Sequence, residues 1–430
     1  MMKLRMATLL ACLVLTGASG RSTPSLAPTA AGPIPAEYLG LHVHNLVVPF
    51  SRPPWQGRLT PWPEVPFGSW RLWDARAQWL NLEPQRGRWD FTTLDRYVAL
   101  AAQRQIEIVL PLGLTPAWAS SRPDEKAAYG FGMAAPARDI EDWRNYVRTV
   151  AERYKGRIRV FELWNEVNYK QFYSGTQDEL VELARVAYQA VKAVDPANIF
   201  VAPAVVGAGG HLDWLDAYLA RGGKDYADVV AYHFYVPKGR PEDMLPLIAR
   251  VRQIMARHGL ADRPLWNTET GWAIGNSAQT PSFGAVEADW RRLDGDLAGA
   301  YVVRAYLLGA AAGLGRFHWY AWDNPDMGLI DPGDQSLKPA ARGFAAAGRL
   351  LVGSTLQDCR EDAGTWACRL TGADGRALLV LWRTADDTAR FAVPPEWAVA
   401  TAVRVLDGVA VATAGTLEIG PQPVVLSRRP

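Results

Sequence analysis

A chain of 430 residues, 49% of them hydrophobic, can bury a large core and a small second one without staples. Its 46 Lys+Arg and 44 Asp+Glu are mixed along the sequence, which leaves no basic footprint for nucleic acid and no obligatory anionic partner. The unusual count is 18 Trp: part of it reads as core filler, and part as flat faces on which sugar rings stack.

From the N-terminus, Lys3 and Arg5 precede an apolar run from Met6 to Leu15 and the small residues Ala18-Ser19-Gly20. That is the order of a cleavable export signal, residues 1–20. The run is too short to cross a bilayer stably, so the mature chain is expected to have no transmembrane span and to lie outside the cytoplasm, periplasmic or secreted. A lipidation site at Cys12 would leave almost no apolar region before it. Residues 21–36 carry Pro24, Pro28, Pro33 and Pro35 and read as a disordered or extended leader. Of the cysteines only Cys359 and Cys368 remain after cleavage. They read either as a disulfide closing a hairpin or as two buried free thiols.

Short β-rich runs then alternate with amphipathic stretches over residues 37–352, which argues for an α/β architecture with parallel strands. Eight strand candidates appear: Tyr38–Val43, Ser69–Trp73, Ile106–Leu112, Ile158–Trp164, Ile199–Pro203, Val229–Phe234, Pro264–Thr268 and Gly315–Ala321. Helical periodicity is clearest over Thr93–Gln103, Asp139–Tyr154, Asp178–Val194, Glu242–His258 and Tyr301–Ala312. Eight strands with interleaved helices predict a (β/α)8 TIM barrel. Residues 353–430 change to short alternating strands with turn signals, such as Gly372-Ala373-Asp374-Gly375, and predict a small C-terminal antiparallel β-sandwich.

Two segments carry the chemistry. Phe161-Glu162-Leu163-Trp164-Asn165-Glu166 and Leu265-Trp266-Asn267-Thr268-Glu269-Thr270-Gly271-Trp272 each end an apolar strand in a carboxylate, at strands 4 and 7, where barrel enzymes build their sites. Retaining glycoside cleavage needs two carboxyl groups roughly 5 Å apart, one protonated and one ionised. Glu166 beside Trp164 suits the protonated acid, and Glu269 the ionised nucleophile, aimed by Arg71 and Tyr235. Asn165 is placed to bond the hydroxyl beside the anomeric carbon. Glu162, alternating with Leu163, points into the barrel as a structural ion-pair partner, and Glu83 reads as structural.

These segments, with Trp70-Arg71-Leu72-Trp73, His233-Phe234-Tyr235 and His318-Trp319-Tyr320-Ala321-Trp322, resemble clan A glycoside hydrolases. Asn81-Leu82-Glu83-Pro84-Gln85-Arg86-Gly87-Arg88-Trp89-Asp90-Phe91 and Pro116-Ala117-Trp118-Ala119 make the chain most similar to glycoside hydrolase family 39, in particular its bacterial exopolysaccharide endoglycosidases. The resemblance implies Glu166 as acid/base, Glu269 as nucleophile, a polysaccharide substrate and no cofactor. Val167 stands where the family's β-xylosidases and iduronidases usually carry Pro, so the sugar is not carried over with the mechanism.

His233, Trp118, Trp319 and Trp322 are further candidates for sugar contact. His42-x-His44 has the spacing of two metal ligands, but strand 5 ends in Val201-Ala202-Pro203 without a ligand, so no metal is expected, and His42 and His44 are expected to bond substrate or neighbouring carboxylates. The loop 45–68, with Phe50, Trp55, Trp62 and Phe67, is expected to wall a groove with several subsites. The reading is an exported, monomeric, endo-acting glycosidase. Its alternatives are an exo-acting β-xylosidase-like enzyme and a non-catalytic polysaccharide-binding barrel.

Overall fold

The computed structural model describes residues 25–26, 32–280, 286, 288–397, 400–413 and 415–428; the export segment 1–20 lies outside them. Eight strands form the barrel: β1 (Leu39–Leu41), β2 (Ser69–Arg71), β3 (Glu107–Leu112), β4 (Val160–Leu163), β5 (Ile199–Val201), β6 (Val230–His233), β7 (Leu265–Thr270) and β8 (Phe317–Trp319). They pair in parallel in the order β5-β4-β3-β2-β1-β8-β7-β6. A parallel bridge from Val201 to Val229, and Val205–Val206 pairing with Tyr232 and His233, join β5 to β6 and close the ring.

Both faces of these strands are covered, so their sequences are nearly continuous apolar runs. The pleat decides which residues enter the barrel. Val109, Val160, Val201, Ala231 and Trp266 pack together as the lower interior. One pleat higher, the interior turns polar with Arg71, Glu162, His233 and Thr268, all fully buried.

One long helix follows each of β2 to β8: α1 (Thr92–Arg104), α2 (Ile140–Arg153), α3 (Gln177–Val194), α4 (Gly210–Ala220), α5 (Met244–Arg257), α6 (Gly295–Ala311) and α7 (Pro339–Leu351). In α2 the buried Trp143, Tyr146, Val147, Val150 and Ala151 fall on one helical face. Asp139 caps its start by accepting from the Glu141 amide. Thr176 and Glu179 form a capping box on α3.

The β1–β2 crossover has no such helix. Trp62 and Phe67 stack 5.5 Å apart and close on the outward-facing Trp70, with the Arg104 guanidinium 4.1 Å over Trp62. These aromatics therefore fill the missing helix's place on the outer wall, and the expectation that Trp62 and Phe67 line a substrate groove is corrected. Trp55 is 7% exposed and packs with Phe50.

The C-terminal strands are β9 (Thr355–Asp362), β10 (Thr365–Thr371), β11 (Ala377–Arg383), β12 (Ala389–Ala392), β13 (Thr401–Arg404), β14 (Thr416–Ile419) and β15 (Val424–Arg428). The main antiparallel sheet runs β9-β10-β11-β15-β13, and β12 and β14 form a separate pair. Leu379, Leu381, Leu417, Ile419 and Leu426 bury its own small core between these layers. Ser25–Leu26, from the proline-rich leader, adds an antiparallel edge strand to β9. Cys359 and Cys368, directly opposite in β9 and β10, are joined in a disulfide.

The two domains meet along α6, which is buried almost all round because it faces the barrel on one side and the sheet on the other. Arg304 of α6 forks onto Glu242 with bonds of 2.9 and 2.5 Å, and Trp382 of β11 donates to the same carboxylate at 2.8 Å.

Candidate active site

Three strand ends converge on Arg71. Its Nε donates to Glu162 Oε2 at 2.5 Å, its Nη1 to Glu269 Oε2 at 3.0 Å and its Nη2 to Asn165 Oδ1 at 2.8 Å. One planar guanidinium thus ties β2 to the ends of β4 and β7 in fixed directions, which a lysine's single ammonium cannot do. Glu162 is completed by the Thr268 hydroxyl at 2.9 Å, leaving it a structural counter-ion inside the barrel. Arg71 pairs with Glu162 and Glu269, and Asp74 takes other partners.

Glu269 sits where the pairing of β7 with β8 loses register between Asn267 and Thr270. That irregularity turns its carboxylate out of the alternation and toward the mouth. Its second oxygen accepts from the Tyr235 hydroxyl at 2.9 Å. Glu166 leaves β4 through two residues with left-handed backbone, Trp164 at φ 58° and Glu166 itself at φ 44°. Strain of this kind persists where the surroundings fix it, and it clusters at functional sites. Here the Trp164 indole is fastened to the Phe172 carbonyl at 2.6 Å, and its ring lies so close to Gly113 that an added Cβ would meet it at 2.8 Å.

His233 Nδ1 lies 3.0 Å from Glu166 Oε1 and 4.0 Å from Glu269 Oε1. Ligating atoms of Glu166, His233 and Glu269 all fall within 4.8 Å of one another, matching the short carboxyl separation, about 5 Å, that retention requires. Three such groups also have the donor set of a cation site. Arg71 and Tyr235 already occupy both oxygens of Glu269, and the guanidinium supplies the positive charge a cation would bring.

The electrostatics separate the two glutamates. Burial, and then the charge of Glu269, hold the Glu166 carboxyl well above the usual range. Glu269 is pushed up to about 7 by burial, with Arg71 and the Tyr235 hydroxyl pulling it down. The pair therefore keeps one proton across neutrality, and that proton resides on Glu166, which lacks a cationic partner. Burial also holds His42 and His233 well below the ordinary histidine range, and pushes His318 down to about 3, so all three are neutral.

Several expected sugar contacts are placed elsewhere. Trp319 is fully buried and faces the helix layer, stacked on Trp272; it alternates with the inward-facing His318, so the pleat directs it away from the mouth. Trp322 is likewise buried, with its indole donating to the Pro61 carbonyl. Trp118 is held by Trp79, the Glu83 carbonyl and the Arg86 guanidinium rather than joining the carboxylate cluster. His42 lies fully buried inside the barrel against the Thr268 carbonyl, 3.0 Å away, and leaves no face for a ligand. His44 is 8% exposed, packs on Tyr320 and sits 3.6 Å from Asp323. Arg71, Asn165, His233 and Tyr235 do meet at the pair.

Sequence reasoning missed Asp74, Tyr129 and Tyr320. Asp74 has φ 57° and accepts from the Tyr320 hydroxyl at 2.7 Å. The signal available was its position three residues beyond Arg71, at the same strand end. Glu83, as expected, is structural, bonded by the Trp79 indole and the Gly87 amide.

Against this geometry stand the likenesses to known proteins. The profile of glycosyl hydrolases family 39 matches residues 72–287. A family 39 glycoside hydrolase from the gut symbiont Bacteroides cellulosilyticus superposes with a TM-score of 0.68 at 20% identity, over 91% of this chain and 80% of that one. A monomeric β-xylosidase from Caulobacter crescentus gives 0.64 at 18% identity over 93% and 98%. A glucosidase from Croceicoccus marinus gives 0.64 at 15% over 94% and 98%. At these identities the structural likeness is one of fold, a (β/α)8 barrel with an antiparallel C-terminal domain. The profile match spans half of the sequence and both carboxylate segments, and with it the chain belongs to glycosyl hydrolase family 39, as a retaining glycoside hydrolase.

Proposed function

We propose that this glycosidase cuts within a polysaccharide chain by double displacement, with Glu269 as nucleophile and Glu166 as acid/base. The observation that carries the roles is the short spacing of the two carboxyl groups with Arg71 bonded to only one of them. Glu269 attacks the anomeric carbon while Glu166 gives its proton to the departing glycosidic oxygen. Water then attacks the glycosyl-enzyme, Glu166 takes its proton, and Glu269 is released. Arg71 fixes the amide oxygen of Asn165, so the Asn165 NH2 is the donor left for the adjacent sugar hydroxyl. His233 orients Glu166.

Endo action is supported by exposed aromatic rings on the loops that follow β3 and β4 at the barrel mouth. Tyr129 is 45% exposed and Phe131 64% exposed on the hairpin formed by Lys126–Ala127 and Gly130–Phe131, and Tyr169, three residues beyond Glu166, is 38% exposed. Partly exposed rings at the barrel mouth suit successive sugar units of a polymer, here taken to be a bacterial exopolysaccharide. A second reading, exo action on xylosides, is favoured by the likeness to the Caulobacter β-xylosidase. Product sizes in the first minutes of digestion of an exopolysaccharide panel separate them: oligomers support endo action and monomer alone supports exo action.

Export is part of the same proposal. The Cys359–Cys368 disulfide suits an oxidising compartment, and among the described residues no helix is long and apolar enough to cross a membrane. N-terminal sequencing of the secreted or periplasmic protein tests it, and a start near residue 21 is expected. We propose a monomer; sedimentation measures that.

A further inference from the structure

A third carboxylate stands beside the catalytic pair and takes no part in the double displacement. Asp74 lies just past the end of β2, in left-handed backbone at φ 57°. Side chains from two separate segments are arranged around it. Tyr320, past β8, donates its hydroxyl to Asp74 Oδ2 at 2.7 Å. The Tyr129 hydroxyl, from the exposed hairpin, lies against the same carboxylate and accepts in turn from the Trp73 indole at 3.0 Å. No Lys, Arg or His forms an ion pair with Asp74 among the described residues. The negative charge of Asp74 reaches both Glu166 and Glu269 and lifts both carboxyls.

A part-buried carboxylate held by neutral hydroxyls and no cation is a costly way to tie a hairpin to a barrel; a tyrosine bonded to a carbonyl would serve. Its placement makes sense if the remaining acceptor capacity faces a ligand. The charge balance says which ligand. Arg71 pairs with Glu162 and Glu269 but not with Asp74, and the nearby His42, His233 and His318 are neutral. An anionic sugar seated against Asp74 meets like charge, with no cation paired to that carboxylate among the described residues.

We propose that Asp74 is a specificity-determining residue that accepts hydrogen bonds from a sugar next to the scissile bond and restricts the enzyme to uncharged or amine-bearing glycans, excluding uronates. Tyr129 and Tyr320 hold the carboxylate in place, and the exposed Tyr129 ring offers the adjoining stacking face. This inference rests on the glycosidase reading above and names the substrate class of that site.

The test compares wild type with Asp74→Asn using matched mechanism-based reagents, a deoxyfluoro-β-glucosyl fluoride and the corresponding β-glucuronyl fluoride. In each, Glu269 forms a bond to the anomeric carbon and fluoride leaves, and the adduct is followed by intact mass and mapped by peptide. The wild type is expected to label with the neutral reagent at least about tenfold faster than with the glucuronyl reagent, and Asp74→Asn to bring that ratio within about threefold. A ratio near one in the wild type, or one unchanged in Asp74→Asn, overturns the proposal. An adduct on a residue other than Glu269 counts against the nucleophile assignment instead. Calorimetric titration with deoxynojirimycin, a cationic sugar mimic, keeps the two questions apart because it needs no turnover. Asp74→Asn should weaken that binding about fivefold or more at an unchanged Tm, and equal affinities contradict the role of Asp74 whatever the labelling shows.

Discussion

His233 Nδ1 lies 3.0 Å from Glu166 Oε1 in a ring whose Nε2 is buried without a partner. A bare acceptor nitrogen is tolerated in such a place more readily than an unpaired N–H, so Nδ1 carries the hydrogen and donates to Glu166. That bond favours the ionised form of Glu166 and fixes its direction. His233→Ala is therefore expected to lower kcat about ten- to hundredfold and to move the basic limb of the pH–rate profile upward. A basic limb that stays in place while kcat falls would point to a purely steric role.

Arg71 is the second test. Removing the charge by Arg71→Met leaves Glu162 and Glu269 buried without their cation, and a loss of about 3–5 kcal/mol is expected in denaturant unfolding. Arg71→Lys keeps the charge but cannot reach Glu162, Glu269 and Asn165 together. It should retain more stability than Arg71→Met and still lose at least about tenfold in kcat.

Glu166 predicts an effect on stability opposite to its effect on activity. Burial raises its carboxyl pKa above the unfolded value, so its contribution is intact in acid and is lost as pH rises through the folded pKa. Glu166→Gln removes that loss. The Tm difference between Glu166→Gln and wild type should be near zero in acid and grow in favour of the variant through neutral pH, while turnover of substrates with poor leaving groups falls. A variant less stable than wild type at every pH contradicts the electrostatic assignment.

The disulfide links residues 9 apart in sequence. A loop that short implies about 2.5 kcal/mol of stabilisation on the chain-entropy account. Cys359→Ser/Cys368→Ser should unfold correspondingly earlier in denaturant and keep its kcat, since the bridge lies in the C-terminal sheet. Loss of kcat in the folded variant would mean that this sheet influences the barrel mouth through α6.

The strand count and the two carboxylate segments were legible because buried parallel strands and Trp-Asn-Glu segments leave local marks in the sequence. Helices α4 and α7 were not singled out. Helix α4 is short and its apolar residues are spread around it, which leaves little contrast between its faces; in α7 the buried face is built mainly of Ala and Gly, which mark a helix less plainly than Leu or Val. The tryptophans misled in a specific way. Trp70, Trp79, Trp143, Trp164, Trp272, Trp319, Trp322 and Trp382 are all fully buried, and whether a strand-end aromatic faces a mouth or a helix layer depends on one step of the pleat. Arg71, Asn165, His233 and Tyr235 are legible because they stand at or just past the C-terminal ends of β2, β4 and β6. Asp74 escaped notice because its side chain acquires meaning only when β2, the hairpin at Tyr129 and Tyr320 come together.

The unequal roles of Glu166 and Glu269 are tested most directly by azide rescue, with the anomeric configuration of the product read by NMR. Azide can replace the missing group only on the side of the sugar from which that group acted. Glu166→Ala should regain turnover of an activated substrate with azide and release a glycosyl azide of the substrate's own configuration, formed from the Glu269 adduct. An inverted glycosyl azide from Glu166→Ala, with the retained one coming from Glu269→Ala, would show that the two roles are exchanged.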